Sequence, residues 1–178
     1  MNPIEAKKKA QNAKKPVPEE EKRKHRCCFT GHRPQGLKRP IDDIRVDLEN
    51  TIIAAIKEGY TTFITGMCYG TDIWAGEIVT RLKDRFPELK LIAAVPYPDF
   101  QEQWDPYWKG RYLRLLRNAD AVRFLSTEYA DSVFQTRNEW MVSHSSKVIA
   151  VSNGQKSGTL NTIRYARKQR IPVDIIRA

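Results

Sequence analysis

The segment Thr62-Phe63-Ile64-Thr65-Gly66-Met67-Cys68-Tyr69-Gly70-Thr71-Asp72 constrains the fold more than any other part of the chain. A short β-prone apolar run empties into a loop with two glycines, and an amphipathic pattern with Trp74, Ile78 and Leu82 on one stripe begins at once. A strand followed so closely by a helix suits a parallel sheet with crossover helices. Glycine lets a backbone approach a ligand with no Cβ in the way, and the first turn of a helix offers unpaired N–H groups to an anion. The loop is not a Walker A sequence, because no Gly-Lys-Ser/Thr follows, and it is not G-x-G-x-x-G.

Two more loops repeat the arrangement. Cys28-Phe29-Thr30-Gly31-His32-Arg33-Pro34 ends a strand in Thr-Gly and then presents His and Arg. Asn153-Gly154-Gln155-Lys156-Ser157-Gly158-Thr159 follows the apolar run Lys147 to Val151. Ligands of open parallel sheets bind beyond the carboxyl ends of the strands, near a topological switch point. Three glycine-bearing loops at three such ends favour a ligand that carries phosphate.

The rest of the chain follows the same alternation. Strands are expected over Arg26–Thr30, Thr62–Thr65, Leu89–Val95, Ala121–Leu125, Lys147–Val151 and Val173–Ile176, with helices over Asp42–Glu58, Asp72–Arg85, Tyr107–Asn118, Thr136–Ser145 and Thr159–Gln169. Ile44, Leu48, Ile52 and Ile56 recur at four-residue steps, and Gly59 is placed to end that helix. The expected fold is α/β: one doubly wound domain, a mainly parallel sheet and helices on both faces.

Composition separates a tail from this domain. Residues 1–26 carry nine Lys/Arg against four Glu, whereas the remainder has 22 against 17, so about half of the net charge of +10 lies ahead of the fold. With almost no large apolar residues and three prolines, residues 1–25 read as a disordered basic tail, and 26–178 as the folded domain. Such a tail suits weak contact with nucleic acid or another anionic surface. No apolar run approaches a membrane span or a signal-peptide core. Three cysteines, Cys27, Cys28 and Cys68, give no disulfide framework, and a cytoplasmic location is expected. No Cys/His spacing suggests a metal centre.

The motifs resemble the YpsA-like branch of the SLOG superfamily, Rossmann-like proteins related to DprA and LOG. The resemblance rests on Phe29-Thr30-Gly31-His32-Arg33-Pro34, on Thr65-Gly66-x-x-x-Gly70-x-Asp72, on Arg137-Asn138 with Met141-Val142, and on Ser157-Gly158-Thr159 with Thr162 and Tyr165-Ala166. It covers roughly Cys28 to the C-terminus. It implies a nucleotide-type ligand, nucleotide or NAD/ADP-ribose-derived, and a homo-oligomer paired through helices beside the sheet; Mg²⁺ accompanying the phosphates would leave little trace in the sequence. The site it implies comprises Thr30, Gly31, His32, Arg33, Gly66, Gly70, Thr71, Asp72, Arg137, Ser157, Gly158 and Thr159. Arg33 and Arg137 are the candidate cations, since a guanidinium fork suits phosphate. Asp72 either caps its helix or accepts from a ribose hydroxyl.

One departure bears on activity. Catalytic relatives carry an acidic residue just after the Gly-Gly-x-Gly-Thr loop, where this chain has Asn161, and Ser157 stands where a glycine is usual. Catalysis would therefore need Arg137 with Glu77 or Glu139 turned into the site. The ordering that results is a sensor or regulatory binding domain first, a LOG-like nucleotide N-glycosidase second and a DprA-like single-stranded nucleic-acid binder third. Plainer roles compete at several positions: Thr159 as a helix N-cap, His32 as a loop hydrogen-bond donor, Arg137 in an ion pair with Glu139, Cys68 as filler. Trp104, Tyr107 and Trp108 read as packing rather than base-stacking residues.

Overall fold

Alternation in the sequence becomes alternation in space. The computed structural model describes residues 17–178. In chain order the elements are α1 (Glu19–Lys24), β1 (Arg26–Gly31), α2 (Ile41–Lys57), β2 (Thr62–Thr65), α3 (Thr71–Leu82), β3 (Lys90–Val95), α4 (Pro106–Asn118), β4 (Ala121–Phe124), α5 (Val133–Ser143), β5 (Lys147–Ser152), α6 (Gly158–Lys168) and β6 (Val173–Arg177). A 3-10 turn at Pro34–Gly36 interrupts the loop after β1. The expected basic tail falls largely on residues 1–16, outside the described residues. Its last part differs from the expectation: Glu19–Lys24 is helical, with acidic residues in the first turn and basic ones in the last, and Arg23 Nε donates to the Ser145 carbonyl at 3.0 Å.

The six strands form one sheet in the order β4-β3-β2-β1-β5-β6, and every pairing is parallel. The chain winds outward from β1 to β4, then returns across the sheet to β5 on the other side of β1. Right-handed crossovers therefore put α2, α3 and α4 on one face and α5 and α6 on the other. Side chains sort accordingly: Cys27, Phe29, Phe63 and Leu91 join the first core, while Cys28, Ile64, Ala94 and Val148 join the second with Met141 and Ala166. Period-two alternation on a sheet covered from both sides explains why the strands read as nearly unbroken apolar runs.

Helix α2 buries Ile44, Leu48, Ile52 and Ala55 on the first face, while Ile56 is half-buried. Burial of each large aliphatic residue stabilises the fold by about 1.5–3 kcal/mol. Gly59, at φ +99°, ends the helix. The outer strand β4 remains exposed along its length, Val122 and Phe124 included. Among the described residues no helix is long and apolar enough to cross a membrane.

Candidate functional site

The switch point lies between β1 and β5, where consecutive connections leave the sheet in opposite directions. A cleft of 470 Å³ opens there. Its walls come from the β1 loop, the β2 loop, the body of α5 and the start of α6, so loops distant in sequence meet at one place. Of the residues expected at the site, Thr30, Gly31, His32, Arg33, Asp72, Arg137, Ser157, Gly158 and Thr159 line this cleft.

Gly66, Gly70 and Thr71 do not line it, and the structure gives each another task. A Cβ on Gly66 would stand 2.5 Å from Arg137 Nη1 and 2.7 Å from Asp72 Oδ2, so this glycine makes room for two of the site's own side chains. Gly70 adopts φ +92°, and a Cβ there would lie 2.9 Å from Pro34 Cδ. It is a left-handed pivot pressed against the β1 loop. Thr71 donates its hydroxyl to the His32 carbonyl at 2.9 Å, tying the two loops together.

Asp72 and Arg137 form the inner wall. Asp72 is not the N-cap of α3, a position held by Gly70. It sits at the second helical position, 6% exposed, and its Oδ2 accepts from the Cys68 N–H at 3.2 Å. Burial pushes its carboxyl up to about 6, against opposing pulls from Arg137, the Cys68 N–H and Arg33. Arg137 is 3% exposed and does not pair with Glu139. Its Nη1 donates to the Gly66 carbonyl, its Nε to Asn138 Oδ1 at 2.8 Å, and its Nη2 to Cys68 Sγ at 3.5 Å. The guanidinium is thereby fixed before any ligand arrives.

The outer wall is more open. Arg33 is exposed, makes no ion pair among the described residues, and lies over the Tyr69 ring at 4.5 Å. Burial lowers the His32 pKa, and among the described residues its Nε2 has no hydrogen-bond partner. Asn153 stands near enough to offset this in part, but its amide nitrogen donates to the Gly36 carbonyl at 2.8 Å. Across the cleft, α6 begins with Ser157 as its N-cap, accepting from the Leu160 N–H at 3.2 Å. Thr159 is buried at the second helical position, so the cap expected of it belongs to Ser157. Among the described residues outside its own turn, nothing lies within 4 Å of where a Cβ on Gly158 would be. Packing does not require glycine there, in contrast to Gly66 and Gly70.

The alternative acids lie elsewhere. Glu77 is paired with Arg111, whose Nε donates to it at 2.8 Å, and Glu139 accepts from Gln135 at 2.7 Å. Neither lines the cleft, and Asn161 is exposed outside it. Asp72 is the one carboxylate in the lining. Among the described residues no group of three or more His, Cys, Asp or Glu is placed to hold a metal. Tyr69, Phe134, Asn138 and Met141 also line the cleft and were not expected to. Asn138 and Met141 belong to the Arg137 motif: Met141, four residues on, shares its side of the helix, and Asn138, next in the chain, accepts from Arg137 Nε; Tyr69 sits inside the glycine loop itself.

A model of the YpsA family, described as the YspA SLOG family, matches residues 27–176. The chain is 34% identical over 138 residues to the uncharacterized SPbeta prophage-derived protein YoqJ of Bacillus subtilis (strain 168), covering 68% of this chain and 81% of that one. It is 28% identical over 156 residues to the UPF0398 protein BH1768 of Halalkalibacterium halodurans, covering 85% and 80%. Among solved structures, DNA processing protein A from Streptococcus pneumoniae matches with a TM-score of 0.57 at 20% identity, over 87% of this chain and 51% of that one. The same protein from Helicobacter pylori, described there with its single-stranded DNA binding mode, matches with a TM-score of 0.61 at 18% identity, over 90% and 68%. At these identities the likeness is one of fold.

Proposed function

The chain belongs to the YpsA SLOG family, and we propose that its cleft binds a phosphate-bearing small molecule, a nucleotide or an NAD- or ADP-ribose-derived one, as a sensor or regulatory module. The observation that carries this reading is the first turn of α6 facing the cleft, with open space at Gly158 and the unpaired Arg33 among the other lining residues. Helix N–H groups and a free guanidinium together suit a phosphate. Arg137 adds a second, immobile positive charge to the wall. Asp72, the single carboxylate, suits a ribose hydroxyl donor. The positive charge of Arg137 acts on that carboxylate and opposes a second cation there, so Mg²⁺ has no site in this reading beyond the ligand's own phosphates.

A second reading, N-glycosidic hydrolysis, is favoured by one feature. The Asp72 carboxyl titrates at about 6, close enough to neutrality for proton transfer in either direction. It replaces Glu77 and Glu139 as the acid to test. Calorimetric titration with AMP and with adenosine, on the wild type and on Arg33→Ala, separates the readings when the ligand is afterwards recovered and weighed. Binding of intact AMP but not adenosine, lost in Arg33→Ala, is the expected result. Recovery of free adenine, abolished in Asp72→Asn, would replace the sensor by an enzyme. Equal binding of adenosine and AMP would remove the phosphate site altogether.

A further inference from the structure

The cleft continues past Arg33. Arg33, Gln35 and Tyr69 line it on one side and also line a second hollow of 370 Å³, closed by Gln103, Trp104 and Trp108. Tyr69 meets Trp104 edge-on, with ring centroids 5.2 Å apart, and Trp108 at a tilt, 5.7 Å away. All three rings are half-buried. Trp104 and Trp108 pack on the first core as expected of them, whereas Tyr107, expected to pack with them, is 63% exposed; Tyr69, Trp104 and Trp108 all line the hollow.

The chemistry of this hollow is specific. Asp105 at its rim is engaged as the N-cap of α4, accepting from the Trp108 N–H at 3.1 Å. The other polar groups are free: among the described residues, the side chains of Arg33, Gln35 and Gln103, the Tyr69 hydroxyl and the indole N–H groups of Trp104 and Trp108 make no hydrogen bond to protein. An aromatic cluster that served packing alone would need no opening and no unpaired donors. With Arg33 over the Tyr69 ring and Arg111 5.0 Å over that of Trp108, the ring surfaces that remain, with donors at their edges, suit a flat heteroaromatic ring. The one cation of the lining, Arg33, stands at the seam with the main cleft.

We propose that the ligand is a dinucleotide-type molecule, two heteroaromatic ring systems joined by a diphosphate. One half occupies the main cleft, Arg33 lies against the diphosphate, and the second ring occupies the Trp104–Trp108 hollow. This inference rests on the phosphate-binding reading of the main cleft. It adds that a mononucleotide fills only part of the site.

Calorimetry with AMP, ADP-ribose and NAD as probes tests it. ADP-ribose carries the diphosphate without the second ring, so the comparison with NAD isolates that ring. NAD is expected to bind about tenfold more tightly than ADP-ribose, the order of one stacked base. Trp108→Leu should remove that advantage and leave AMP affinity unchanged. Trp108 also packs against Trp74, so Gln103→Trp, which fills the hollow from an exposed position, is the companion variant and should act alike. NAD and ADP-ribose binding equally, with AMP bound and neither variant having an effect, would overturn the second subsite and spare the first. No binding of any of the three would overturn the phosphate reading and this inference with it.

Discussion

Replacing Asp72 by asparagine should stabilise the protein at neutral pH, an unusual outcome for a buried polar position. The carboxyl has its ordinary value near 3.8 in the unfolded chain and about 6 in the fold, chiefly because burial penalises its charge. A folded-state value above the unfolded one means that the native state binds the proton more tightly. The associated stability is complete below about pH 4 and is lost as pH rises through 6. At 1.36 kcal/mol per pH unit, the interval from 3.8 to about 6 amounts to about 3 kcal/mol of ionisation cost. Asparagine keeps an oxygen for the Cys68 N–H and carries no charge, so it imitates the protonated acid at every pH. Urea denaturation of wild type and Asp72→Asn at pH 4, 5, 6 and 7.5 measures the difference directly. The variant should match the wild type at pH 4 and exceed it by up to about 3 kcal/mol at pH 7.5. A difference that does not vary with pH would refute the argument. So would a wild type that gains on the variant as pH rises, because Arg137 would then outweigh burial.

Three further outcomes follow from the same geometry. Gly66→Ala places a Cβ 2.5 Å from Arg137 Nη1; it should cost about 2 kcal/mol in urea denaturation and displace the guanidinium. Ser157→Ala removes the α6 cap and should cost about 1 kcal/mol by the same assay. Glu77→Gln alters the Arg111 pair, which lies outside the cleft, and should leave the affinity for AMP unchanged in calorimetry.

Most of the framework was legible because it is local. Strand runs, helix stripes and glycine loops are short-range patterns, and in a parallel sheet the loops after strands must gather on one edge. Thr30 to Arg33 and Ser157 to Thr159 are legible as loops of that edge, and they line the cleft. What escaped depends on contacts between segments. Gly66 and Gly70 look like ligand-approach glycines, yet one yields space to Arg137 and Asp72 and the other to Pro34, 71, 6 and 36 residues away in the chain. Arg137 is expected at the site, but its burial is not legible, because α5 carries polar side chains on an inward face, which blurs any helical stripe. Asp72 suits a cap by residue type, and only the loop's turn at Gly70 gives the cap to that glycine and leaves Asp72 at the second helical position. The opening beside Trp104 and Trp108 arises where α4 meets the β2 loop, and neither segment alone reports it.

The central claim, that the start of α6 faces a bound phosphate, is tested most directly at Gly158. A Cβ there meets nothing within 4 Å among the described residues outside its own turn, so the thermal melt of Gly158→Val should stay close to that of the wild type. Its side chain would project into the space assigned to the ligand. Calorimetric titration with ADP-ribose should show binding to the wild type that weakens about tenfold or more in Gly158→Val, the order of a lost charged contact. Equal affinity in both proteins, or no binding to either, would contradict the account.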